Sequence, residues 1–76
     1  MTIPAPDGEA HGIALQEATR ELEAAIHDAR VAFDCIALGD FDRAHTHALT
    51  ARVAVDAAVT ALAAALAEAA QAQAHR

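Results

Sequence analysis

From Ile13 onward, Leu15, Leu22, Ala29 and Ile36 recur every seven residues, Ala18, Ala25 and Ala32 stand three positions after the first three, and Ile26 and Phe33 widen the stripe. Gln16, Glu17, Arg20, Glu23, His27, Arg30 and Asp34 take the opposite side, with Val31 as one apolar intruder. Three apolar positions in seven predict an amphipathic helix over about 13–38. The pattern stops at Leu38-Gly39-Asp40-Phe41, where Gly39 can adopt the left-handed conformation that ends a helix and Asp40 can cap the next one. So short a connection predicts an antiparallel hairpin. Asp40 and Asp42 then sit at the positive end of the second helix dipole. A second helix is predicted over about 41–74, longer than the first. Residues 1–12, with Pro4, Pro6, Gly8 and Gly12, read as a flexible N-terminal tail ahead of a hairpin over 13–76. Asp7 is able to cap a turn within that tail, and Ile3 is its natural plug for the overhanging end of helix two.

The second helix departs from the amphipathic rule. Between Arg52 and Glu68 the sequence VAVDAAVTALAAALA carries one charge, Asp56. Phe41, Ala48, Val55, Val59, Leu62 and Leu66 form the stripe expected to meet helix one, with Leu38 beside Phe41 and Ile13 reaching about Leu66. Leu49 and Val53 point away from that stripe, and one neighbouring helix cannot cover such a circumference. The expectation is an all-α fold in which the hairpin doubles by two-fold symmetry into a four-helix bundle. The residues expected to bind a partner are Val31, Leu49, Val53, Val55, Val59, Leu62 and Leu66. With Leu62 placed in the bundle core, Leu62→Glu is expected both to dissociate and to unfold the molecule. The same apolar stretch reads as too short, too alanine-rich and too interrupted for a membrane span, which takes about 20 predominantly apolar residues.

Composition sharpens this picture. Of 76 residues, 55% are hydrophobic, yet 24 of them are alanine and only 18 are larger apolar side chains or cysteine. The core of a lone hairpin is therefore thin, and Cys35, the one cysteine, excludes an internal disulfide. The first twelve residues hold no Lys or Arg, so no export signal is read there and a cytoplasmic location is expected. Eleven acids against five arginines give a net charge of −6, which disfavours nucleic acid and anionic membranes as partners. Ser, Lys, Asn, Tyr and Trp are all missing. The serine nucleophile, the Schiff-base lysine and the P-loop lysine are thereby excluded, and neither enzymatic activity nor a cofactor is expected.

Three local features invite a more specific chemistry. Cys35 is expected opposite residue 44, close to His45 and His47, and this set is the alternative reading: a small metal- or ligand-binding bundle completed by Asp34, Asp42 or a symmetry mate. His45 and His47 stand about 200° apart on a helix and cannot share a metal by themselves. Arg52 and Asp56, at i and i+4, are expected to pair on the flank of the apolar stripe. Finally, Ala32, then Gly39-Asp40-Phe41-Asp42-Arg43-Ala44, then Ala51 resembles the centre of a tetratricopeptide (TPR) hairpin over residues 32–51, a likeness that implies peptide or protein binding. Asp28 and Cys35 depart from that pattern, which wants large side chains at both positions, and there is no second copy of the repeat. The alanine content and architecture also resemble the small acidic helical hairpins of the WXG type, exported as dimers, with Leu38-Gly39-Asp40 in place of their Trp-x-Gly turn; that likeness concerns fold alone. The function read from the sequence is a non-enzymatic protein-protein interaction module, self-associating and with leftover apolar surface for a larger protein.

Overall fold

The computed structural model describes residues 6–74, with side chains described for 12–74. It is an antiparallel hairpin of two helices, α1 (Pro6–Ala37) and α2 (Phe41–Ala74), packed along their length. The predicted elements are present, with one correction. Helix α1 begins at Pro6 and not near Ile13, so the tail read over 1–12 gives way to helix for its second half. Proline suits the first helical position because its fixed φ is already helical and its missing N–H would be unpaired there in any case. Gly8 and Gly12 cost the helix about 1 kcal/mol each relative to alanine, which a helix of 32 residues can carry. Residues 1–5, Ile3 among them, lie outside the described part.

The turn follows from three residues. Gly39 has φ 76°, the left-handed conformation that glycine adopts without a Cβ penalty. Around it the Asp40 N–H donates to the Cys35 carbonyl at 2.8 Å and the Gly39 N–H to the Ile36 carbonyl at 3.1 Å, the paired bonds of a Schellman cap. Asp40 then opens α2. Its carbonyl accepts from the Ala44 N–H at 3.0 Å, and its side-chain Oδ1 accepts from the Arg43 N–H at 3.3 Å.

What lies between the helices differs from the expected stripe. The buried residues are Ala14, Ala18, Ala25, Ala32 and Cys35 on α1 and Ala44, Ala54, Ala58, Ala61 and Ala65 on α2. Filling the gaps with half-buried Glu21 and Asp28 on α1, and His47, Ala51, Glu68 and Ala72 on α2, gives alternating steps of three and four residues, a heptad seam. Among the described residues no side chain larger than cysteine is buried there, so the helix axes can approach to the short end of the usual range of about 8–10 Å. At one level the seam holds a polar contact: His47 Nδ1 donates to Asp28 Oδ1 at 3.0 Å, with the two side chains 30% and 17% exposed. That pair shows the register the turn sets. Counting back along α1 and on along α2, Ile13 is level with Leu62 and not with Leu66, one helical turn from expectation.

Only one layer of structure results. The Cα trace measures 56 × 27 × 11 Å, and its radius of gyration of 17.1 Å exceeds the roughly 11 Å of a compact domain of this length. Its accessible surface of 5855 Å² likewise exceeds the roughly 4,400 Å² of a compact monomer of this mass.

Candidate functional site: an apolar broad face

A heptad seam leaves each helix two flanks, and in an antiparallel pair matching flanks share one broad side of the slab. Glu17 of α1 forms a shallow hollow with Ala57, Thr60 and Ala64 of α2, which identifies one such side. Residues on the other flank occupy the opposite side. On α1 these are Leu15, Leu22, Ile26, Phe33 and Ile36; on α2 they are Phe41, Val55, Val59, Leu62 and Leu66. All ten are exposed, from 38% for Leu62 to 73% for Phe33. With about 150–200 Å² for each fully exposed side chain, they present roughly 900 Å² of apolar surface, against about 300–600 Å² for the largest patch on a typical monomer.

Polar side chains on this face are few. The Thr19 hydroxyl donates to the Leu15 carbonyl at 2.9 Å within its own helix, so the residue offers its methyl group to the surroundings. His45 and Arg52 lie along the outer edge of α2 on the same side, and Glu23 lies on the outward edge of α1, among Ile26, His27 and Arg30. The side marked by Glu17 is different in kind. It carries Arg20, His27, Asp34, Arg43 and Thr50 besides Glu17, with Ile13, Val31 and Val53 as scattered apolar residues.

The expected partner-binding residues divide accordingly. Val55, Val59, Leu62 and Leu66 gather on the apolar face, but as outward-facing residues and not as the stripe meeting α1. Val31 and Val53 lie on the opposite side, Val31 half-buried, and Leu49 lies on the outer edge of α2. Five large residues of α1 belong to the face, where the sequence pattern alone points to the interior. The signal that could have found them is the offset between neighbouring stripes: Ala18, Ala25 and Ala32 repeat with the same period as Leu15, Leu22 and Ile36, and only one of the two can face the other helix.

The turn chemistry also sorts differently from expectation. Cys35 is buried, and the observed register sets it level with Asp40 and not with residue 44. His47 turns to Asp28, which is seven residues, or about 10 Å along the axis, from Cys35. His45 is exposed on the apolar side. Among the described residues no three His, Cys, Asp or Glu side chains stand together as a metal ion requires. The ion pairs among the described residues are Arg43 with Asp40 at 3.9 Å and His47 with Asp28; the expected pairing of Arg52 with Asp56 is not among them.

By length and composition, α2 is apolar enough to cross a membrane, which corrects the expectation that it is too short and interrupted. Its best eighteen-residue window has a mean hydropathy of 1.7. Beside it, however, α1 carries Glu17, Arg20, Glu21, Glu23, Asp28, Arg30 and Asp34 at the same levels. No known protein family, curated protein or solved structure matches this chain.

Proposed function

We propose that this protein is a non-enzymatic protein-protein interaction module, a small acidic helical hairpin that self-associates through its apolar broad face into a four-helix bundle. One observation carries the reading: the hairpin buries alanines between its helices and leaves ten of its large apolar side chains outside, together, on one side. A domain is ordinarily two layers enclosing a core, and this chain supplies one layer with its core face uncovered. A second layer of the same kind completes it. Roughly 900 Å² from each copy matches the about 800 Å² per partner of a stable interface. A hairpin inserted in a bilayer would have to carry the charges of α1 to the depth of α2, at about 2.5–3.5 kcal/mol for each acid or arginine near the centre. A protein partner asks for no such transfer.

The test separates the face from the seam. Sedimentation velocity of the full chain at tens of micromolar is expected to show a dimer. Leu62→Glu is expected to give a monomer that keeps its helical circular dichroism, because Leu62 faces outward and its replacement leaves the alanine seam intact. A wild-type chain that stays monomeric and folded at several hundred micromolar overturns the proposal, and so does a Leu62→Glu chain that dimerises as the wild type does.

A further inference from the structure

By two-fold symmetry a second copy can lie on the apolar face in two ways, and charge distinguishes them. This step rests on the self-association proposed above. Asp28 is level with His47; five residues back along α1 is Glu23, and five residues on along α2 is Arg52, so these two stand at one height near the middle of the slab. Arg52 stands on the outer edge of the apolar face and Glu23 on the outward edge of α1, between that face and the side of Arg20 and His27, and among the described residues neither makes an ion pair.

If the symmetry axis runs along the helices, α1 lies over the other copy's α2, the two turns come together, and each Arg52 meets the other copy's Glu23 at the same height. If the axis crosses the helices, α1 lies over α1 and α2 over α2, with the turns at opposite ends. Glu23 then approaches its own equivalent, and Arg52 approaches Arg52. Like charges facing each other at an interface exclude a pairing as effectively as unlike charges favour one. Apolar matching points the same way. Phe33, Ile36 and Phe41 are among the most exposed side chains of the face and cluster at the turn end. The first arrangement brings Phe33 and Ile36 of each copy onto Phe41 of the other, whereas the second divides the cluster, setting Phe33 and Ile36 over the start of the other α1 and Phe41 over the end of the other α2 that carries Leu62 and Leu66. We infer that the occupant of the apolar face is a second copy of this chain lying turn beside turn, with Arg52 of each copy bound to Glu23 of the other.

The experiment uses the full chain and two charge reversals, Arg52→Glu and Glu23→Arg. Either one alone places like charges at both contacts, and the dimer dissociation constant is expected to rise about tenfold or more. An equimolar mixture of the two variants is expected to recover most of the wild-type affinity, because the mixed dimer restores both pairs. A second measurement reads geometry directly. Spin labels at Leu38→Cys, in a Cys35→Ala background, report on a residue at the turn that is 82% exposed. Turn beside turn predicts a label separation well under half of the 56 Å length, and the crossed arrangement predicts one close to that length. A dimer with distant labels, or single reversals that dimerise as the wild type does, overturns this arrangement and leaves self-association standing. A monomeric wild-type chain removes self-association itself, and this inference with it.

Discussion

Replacing Ala58 by leucine tests whether the seam is closed. Ala58 is 1% exposed, in the middle of the buried stripe of α2, and Ala18 across from it is 2% exposed. If large residues belonged between the helices, a leucine there would add buried apolar area and raise stability. In the structure it must instead force three extra carbons into a seam whose neighbours are alanines, and the rigid backbones on either side can yield only by moving apart. Overpacking of this kind costs about 1–3 kcal/mol. For a domain of 60–100 residues each kcal/mol lowers the melting temperature by about 4–8 °C, so the expected fall is on the order of 5–20 °C. Thermal unfolding followed by circular dichroism measures it, at one fixed protein concentration, because association shifts the apparent stability. Ala63→Leu is the control: it makes the same chemical change on the same helix at an exposed position pointing away from the seam, and it should stay within about 0.5 kcal/mol of wild type. An Ala58→Leu chain that melts at or above the wild-type temperature would refute close packing along the alanine stripe.

Two further substitutions probe the turn and the register. Gly39→Ala meets no atom within 4 Å, so its cost is that of holding a Cβ at φ 76°, about 1–2 kcal/mol by equilibrium denaturation, and a neutral result would contradict the Schellman cap. Asp28→Ala removes the acceptor of the His47 ring N–H and should cost about 1 kcal/mol in the same assay; a stabilised variant would mean that the pair contributes nothing to register.

Much of this architecture was legible because local chemistry decides it. Gly39 and Asp40 can be read as a stop and a start without knowledge of anything distant, and the bonds they make are those the sequence suggests. The inward face was not legible in the same way. On α1 the stripe of Ala18, Ala25 and Ala32 adjoins the stripe of Leu15, Leu22 and Ile36, and both repeat every seven residues. Periodicity reports a face about a third of a turn wide; which half of it meets the partner helix is a tertiary choice. The site inherited that ambiguity, so Val55, Val59, Leu62 and Leu66 were placed in the interior of the bundle and Val31, Leu49 and Val53 on its surface. The start of α1 escaped for a different reason: Pro6 and the two glycines argue against helix by propensity, and a weak local preference yields to continuation of a long neighbouring helix.

The choice of alanine for the seam has a physical logic that ties the fold to the proposed function. Large side chains placed between two helices would hold the axes apart and leave the alanines outside, on a surface with little area to bury against anything else. Alanines placed there let the backbones approach, and the flanking large residues of both helices then merge into one surface on a slab 27 Å wide. Apolar burial scales with the area removed from water, at about 25 cal/mol per Å², and the exposed part of the broad face is stabilisation that one chain in water does not realise. In the proposed dimer both terms are realised together: the seam spaces the helices of each layer, and the face closes the layers on each other. The Asp28–His47 pair fits the same logic. The short turn already limits sliding between the helices, and a slip would offset Phe33 and Ile36 from Phe41 and move Glu23 away from the level of Arg52. The Asp28–His47 contact adds to the turn's hold at a level well down the seam, and so the alignment of the outer face is supported by a hydrogen bond made inside the hairpin.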